Sequence, residues 1–219
     1  YAIYGYCHNY LTEIRLLGAR GMDQIQKIMD HLREVDIAAF GDFGVTRKVD
    51  RWEGPPQPHL SRTDTSSRNV LVFHLETLPD TRSLRLTVRP SGTEPKIKMY
   101  FEIMGAPCDP DQLAAARDRI VTVCDQLEKQ LMQHCYRFLG IDFPERGFLL
   151  FWQLPLDAKM KYFQIEEKIA ALNSIGDKSA RQTALDQELQ FLGANPVQKI
   201  DRAFEARYGQ GVLEYLKLT

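Results

Sequence analysis

The chain is short of every feature that would take it outside the ordinary globular class. No run approaches the ~18 consecutive apolar residues of a membrane helix, and no leader with a charged, apolar and small-residue order is visible, so a cytoplasmic protein without a membrane partner is expected. Charge of one sign is also missing. The 28 Lys and Arg residues against 29 Asp and Glu leave a net charge of −1, which argues against the basic stripe of a general nucleic-acid binder. Cysteine is scarce: Cys7, Cys108, Cys124 and Cys135 show no CxxC spacing, which excludes a disulfide framework and points to reduced thiols. His8, His31, His59, His74 and His134 show neither HxxxH nor HExxH spacing, so no metal site is expected. His134 and Cys135 are adjacent on a predicted helix, where neighbours point apart, and do not make a nucleophile and base. Carboxylate pairs such as Asp109 with Asp111 and Glu166 with Glu167 read as helix-cap or solvated-face residues, so no catalytic residue is assigned. Neither GxxxxGK[ST] nor GxGxxG occurs, which removes the main support for a nucleotide-binding loop.

What is present is concentrated in one run, Arg89-Pro90-Ser91-Gly92-Thr93-Glu94-Pro95-Lys96. Arg89 offers a planar guanidinium that can hold two phosphate oxygens at once. Ser91 and Thr93 add hydroxyl donors, and Gly92 lets backbone N–H groups approach an anion without a Cβ in the way. Prolines 90 and 95 stiffen both shoulders, which lowers the entropy lost on binding. Lys96 and Lys98 add positive potential, whereas Glu94 repels an anion and needs another partner, either the loop backbone or Lys96.

Around the run lie segments of two kinds. Ile25, Ile28, Met29 and Leu32 recur at the spacing of an amphipathic helix over residues 22–33, after a turn at Gly18 and Gly21. Residues 45–52, 69–75, 84–88 and 97–103 read as strands, with Gly-Pro-Pro-Gln-Pro at 54–58 ending the first and residues 62–68 a polar loop. In the last strand Ile97, Met99, Phe101 and Ile103 share one face and Lys98, Tyr100 and Glu102 the other, so the sheet has one buried and one open face. Asp109, Pro110 and Gln112 suggest a capping box opening a second helix, along which Leu113, Ala116, Ile120, Val123, Leu127 and Leu131 form a stripe. This is an α+β arrangement: a mostly antiparallel four-stranded sheet with two helices on one face. Residues 136–219 differ, with an apolar run at 147–152 and then helix patterns near 158–174, 179–192 and 196–216, the last opened by Pro196 and interrupted at Gly209 or Gly211. They predict an all-helical extension.

The segment from Arg89 to Ile103, RPSGTEPKIKMYFEI, closely resembles the phosphate-binding loop and following strand of the α-D-phosphohexomutases, a family that includes phosphoglucomutases and phosphomannomutases. The order of elements over residues 20–134 is also similar, and nothing comparable is found beyond about residue 136. The resemblance implies a C-terminal mutase domain with a fold like the TATA-binding protein at residues 21–135, preceded at residues 1–20 by the end of another domain and a hinge. It further implies that Arg89, Ser91, Gly92 and Thr93 hold the phosphate of a sugar phosphate, with Lys96 and Lys98 nearby. The implied parent is an isomerase that interconverts sugar 1-phosphate and sugar 6-phosphate through a phosphoserine and a bisphosphorylated intermediate, using Mg²⁺ bound outside this segment. The family's serine, metal and sugar-reading loops have no counterpart here, and the chain opens Tyr1-Ala2-Ile3-Tyr4 without Met. A fragment of a larger enzyme, inactive alone and partnered by upstream domains, is therefore expected, with the helical extension a candidate for homo-oligomer contacts. The alternative is a non-catalytic module that senses sugar phosphates or binds another protein.

Overall fold

The computed structural model describes residues 1–16, 19–52, 68–144, 147 and 154–219. It divides into two compact units, Tyr1–Asp142 and Phe143–Thr219.

The first unit is built on a six-stranded sheet in the order β1-β6-β5-β4-β3-β2. Its strands are β1 (Cys7–Arg15), β2 (Ala39–Phe40), β3 (Phe43–Asp50), β4 (Leu71–Leu75), β5 (Thr81–Pro90) and β6 (Lys96–Gly105). Every pairing is antiparallel. Strands β2 to β6 form a meander of consecutive neighbours, while β1 crosses by way of α1 (Ala19–Glu34) to flank β6. The α+β class holds, but the expected four strands are six. The two extra strands are the short β2 and β1, and β1 falls in residues assigned by resemblance to a preceding domain. Nine residues of β1 pair continuously with β6, from Cys7 with Met104 to Arg15 with Lys96.

Strand alternation decides which face is covered. Leu71, Phe73 and Leu75 of β4, Leu84, Leu86 and Val88 of β5, and Ile97, Met99, Phe101 and Ile103 of β6 are all buried. Ile25, Ile28, Met29 and Leu32 of α1 pack over β5 and β6, and Ile120, Cys124, Leu127 and Leu131 of α2 (Leu113–Phe138) cover the same core. At ~1.5 Å per residue, the 26 residues of α2 are long enough to cross a sheet whose strands lie about 4.8 Å apart. Accordingly α2 touches both β1 and β2, the two opposite edges. Gln130 fixes that crossing: its Oε1 accepts from Asp42 N at 2.8 Å and its Nε2 donates to Asp42 Oδ2 at 2.7 Å.

Polar contacts seal the rim. Lys48 Nζ donates to the carbonyls of Arg33 and Val35 at 2.7 and 2.9 Å, capping the C-terminal end of α1. Arg33 in turn reaches Asp50 and Asn69 at 2.7 and 2.6 Å. Two helix starts differ from the sequence expectation. Helix α1 opens at Ala19, with Gly21 inside its first turn, and the capping box at Asp109 is not formed: a 3₁₀ turn at Pro110–Gln112 precedes α2, and the Asp109 side chain makes no cap bond. The backbone contact from Gln112 N to Asp109 O, 3.0 Å, takes its place.

The second unit is helical among its described residues, with α3 (Leu156–Ala171), α4 (Lys178–Leu189), α5 (Pro196–Tyr208) and α6 (Val212–Tyr215). As the sequence suggests, α5 starts at Pro196 and stops at Gly209, which takes the left-handed φ of 77°. Tyr162, Ile169, Leu185, Leu189, Ile200 and Phe204 lie at its fully buried centre. Glu166, expected on a solvated face, is instead fully buried. Its carboxylate accepts from Tyr162 OH and from Arg207, both at 2.7 Å, which is the satisfaction a buried charge requires. The apolar run from Phe148 to Trp152 lies outside the described residues, as do the Gly-Pro-Pro-Gln-Pro break and residues 62–67 of the polar loop.

Candidate phosphate-binding site

The run singled out in the sequence forms the hairpin loop between β5 and β6. The last ladder pair is Pro90 with Ile97, and Ser91 N then donates to Lys96 O at 2.8 Å, leaving Gly92 to Pro95 as a bend. Two neighbours hold the loop from outside. Leu16 N donates to Pro95 O at 3.0 Å, and the first turn of α1 presses against the same proline. A Cβ on Gly21 would lie 2.2 Å from Leu16 O and 3.1 Å from Pro95 Cβ, so only glycine lets the helix start this close to the loop.

Arg89 lies at the end of β5 on the open face of the sheet. Its Nε is buried and has no hydrogen-bond partner among the described residues. A buried donor without a partner costs about 1–3 kcal/mol, and an anion in the loop would remove that cost. Directly across the strand pair is Lys98, and beyond it Glu13 on β1. Like charges placed opposite each other weaken a sheet, and Lys98 makes no ion pair among the described residues. Arg89 and Lys98 thus form a cationic pair held together by the fold and left uncompensated by any carboxylate bonded to them. Ser91 is half-buried, whereas Gly92, Thr93 and Glu94 are exposed and accessible to a ligand.

Lys96 occupies a different position from Lys98. Its Nζ contacts Glu94 at 2.7 Å and Glu13 at 3.2 Å, and Glu13 also bonds Arg15. The hydrogen bond to Glu94 and then that to Glu13 raise the Lys96 pKa, and Lys96 correspondingly lowers that of Glu94. Burial alone would raise the Glu13 pKa, but the bonds from Arg15 and Lys96 outweigh it and the net shift is downward. Glu94, unwelcome beside an anion, is thereby accounted for as the partner of Lys96. Glu13 has no sequence signal linking it to the loop, since only strand pairing brings it there.

The match to a known family falls on this region. Residues 72–123 match the model of the phosphoglucomutase/phosphomannomutase C-terminal domain. This stretch of the first unit carries the sequence signature of the phosphohexomutase superfamily's C-terminal domain. Among curated proteins, a "Probable phosphomannomutase" of Haemophilus influenzae is 37% identical over 98 residues, covering 44% of this chain and 17% of that protein. A phosphopentomutase of Pongo abelii is 28% identical over 138 residues, covering 58% of this chain and 21% of that protein. The matched regions span about a fifth of the length of these relatives. No solved structure matches the chain. The phosphohexomutase domain match takes in all but the first residue of β4, then β5, the loop, β6 and the first part of α2, so it includes all six residues assigned to phosphate by the sequence reading.

Proposed function

We infer that the first unit anchors the non-reacting phosphate of a sugar phosphate in a phosphohexomutase that interconverts sugar 1-phosphate and sugar 6-phosphate. The observation carrying this reading is the buried, unpartnered Nε of Arg89 at the shoulder of the Ser91–Pro95 loop. In the proposed site Arg89 supplies a guanidinium edge, Lys98 a second positive charge, and Ser91, Gly92 and Thr93 hydroxyl and backbone donors. Lys96 holds the loop's shape through Glu94 and Glu13 and adds to the local potential.

Phosphoryl transfer leaves the protein mainly positioning and charge stabilisation to perform. A loop that reads phosphate and ignores the sugar accepts a substrate in either orientation. This suits a reaction that passes through a bisphosphorylated intermediate, with the phosphoryl group carried by a serine outside this chain. In this reading Mg²⁺ is held by other domains of the parent; among the described residues no group of three or more His, Cys, Asp or Glu side chains converges. In this reading the loop contacts the phosphate alone and accepts hexose and pentose phosphates alike.

The test is a titration of the chain with glucose 1-phosphate followed by backbone NMR shifts. Millimolar affinity is expected, about −4 kcal/mol, with shifts centred on Ser91 to Thr93. Arg89→Ala should weaken binding at least tenfold, about 1.4 kcal/mol, with the remaining spectrum unchanged. Undiminished affinity in that variant overturns the assignment.

A further inference from the structure

The open face of the sheet is organised in rows that the antiparallel register sets side by side. One row runs Arg47, His74, Arg85, Glu102, Asn9 across five strands. The next is largely apolar: Val49, Val72, Thr87, Tyr100, Leu11. The third holds Arg89, Lys98 and Glu13, and continues toward Arg51, whose N–H bonds Val70 O at 3.0 Å. Across these rows Arg47, Arg51, Arg85, Arg89 and Lys98 stand against Glu13 and Glu102 among the described residues, with Glu76 one row beyond, in a chain whose net charge is −1. The positive charge of this face is therefore a local concentration and not a property of the composition.

The concentration is tightest in a depression of about 290 Å³, where Arg47, Arg51, Arg85 and His74 surround Val49, Val72 and Thr87. We propose that this depression is a second anion site, formed by Arg47, Arg51, Arg85 and His74, and that it takes the dianion of a phosphate monoester. Arg85 is already paired with Glu102. That leaves Arg47 and Arg51 as two charges without a carboxylate partner among the described residues, which a dianion would match. Guanidinium groups suit the geometry of phosphate oxygens, and the apolar floor strengthens contacts made above it. Arg47 Nη2 donates to His74 Nε2 at 2.9 Å, so that nitrogen is an acceptor and His74 is neutral in this state. Burial, then the charges of Arg47 and Arg85, lower the His74 pKa. An anion seated among these groups offsets the arginine charges and lets His74 take up a proton and donate to it.

This site is separate from the loop. Arg85 and Arg89 are four residues apart on β5, about 13 Å at the rise of an extended strand. Its existence does not depend on the loop's assigned role.

The experiment is an NMR pH titration of the His74 ring in the full chain, with and without inorganic phosphate, repeated in Arg51→Gln and Arg89→Ala. Among the described residues, the charged groups on the face around His74 are Arg47 and Arg51 at the β3 side, Glu76 just past the end of β4, and Arg85 and Glu102 on β5 and β6. Saturating phosphate should raise the His74 pKa by about one unit, the scale of an opposite charge within ~4–6 Å. Arg51→Gln, at an exposed position that does not bond His74, should raise the phosphate concentration needed at least fivefold. Arg89→Ala should leave it unchanged. A His74 pKa indifferent to phosphate overturns the proposal, and so does a response abolished by Arg89→Ala but untouched by Arg51→Gln, which would report the loop alone. Glucose 6-phosphate and a phosphoserine peptide then distinguish a free metabolite from a phosphorylated chain as the source, the tighter binder naming it.

Discussion

Lys96 and Lys98 stand two residues apart on the same face of β6, yet their surroundings assign them different work. Lys98 faces Arg89 on one side and Glu13 on the other and makes no ion pair among the described residues, whereas Lys96 spends its charge on Glu94 and Glu13. The cluster Glu94, Lys96, Glu13 and Arg15 is neutral in sum, so it stiffens the loop while adding little attraction for an anion. Changing one acid should unbalance it in favour of binding. Glu94→Gln removes the carboxylate nearest the loop bend and frees part of the Lys96 charge, while Glu13 still holds the ammonium in place. We expect this variant to bind phosphate two- to fivefold more tightly by the same titration, with the gain shrinking as salt screens the charges, the Debye length being about 10 Å at 0.1 M. Equal or weaker binding would show that Glu94 contributes to the anion contacts through the loop's shape.

At the scale of elements, the contact between α1 and α2 contains a pair that no spacing in the sequence announces. His31 Nε2 and His134 Nε2 are 3.0 Å apart, His31 stacks on Phe138 with ring centroids 4.0 Å apart, and Phe40 meets His134 edge-on. One nitrogen must carry a proton and the other must not, so the pair tolerates little positive charge. Burial lowers both pKa values, and for His134 the neighbouring His31 and Arg137 lower it further. A folded pKa below the ordinary 6.5 means that the unfolded chain takes up protons first as pH falls. Stability contributed by the neutral pair is therefore complete above pH 6.5 and drains away as pH drops through the lowered values. Urea unfolding at pH 7.5 and pH 5.5 should show a loss on acidification that is smaller in His134→Gln. His74, also lowered, contributes in the same direction and supplies the residual slope. The elements that were legible beforehand are those whose pattern and environment agree. Strand β6 alternates in sequence and in burial, with Ile97, Met99, Phe101 and Ile103 on the covered face. Strand β1 lies in residues that the resemblance assigns to the end of a preceding domain and a hinge, and its own pattern does not announce a strand of this sheet: it is an edge strand with most of its residues open, and its apolar Leu11 faces outward, half-exposed. The loop was legible because its chemistry is contiguous. The contribution of Glu13, the opposition of Arg89 and Lys98, and the row from Arg47 to Asn9 depend on register, which a single strand's pattern does not carry.

At the scale of the whole chain, the two units have separate cores, and the buried polar groups of the second are satisfied within it, whereas the first leaves Arg89 Nε without a partner among the described residues. In Tyr1–Asp142 the core lies between the sheet and the helices α1 and α2; in Phe143–Thr219 it is centred on Tyr162, Ile169, Leu185 and Phe204. The second unit also carries internal ties that a mere tail would not need. Arg181, buried, donates to the carbonyls of Ile175 and Leu216, and Arg207 bridges buried Glu166 and exposed Glu167. A division after Asp142 respects these facts better than one after residue 135, because Tyr136 is buried and α2 continues to Phe138. Residues 1–142 produced alone should therefore fold and bind phosphate within twofold of the full chain, with shifts at the same loop residues. Residues 143–219 produced alone should give a cooperative helical melt. Within that piece Arg207→Ala should cost about 2 kcal/mol, below the 3–5 kcal/mol of a fully buried pair because the arginine is partly exposed. A non-cooperative melt of residues 143–219 with rapid amide exchange throughout would mean that the second unit lacks a core sufficient for its own fold, and that the polar ties at Arg181 and Arg207 do not hold it closed without the rest of the chain.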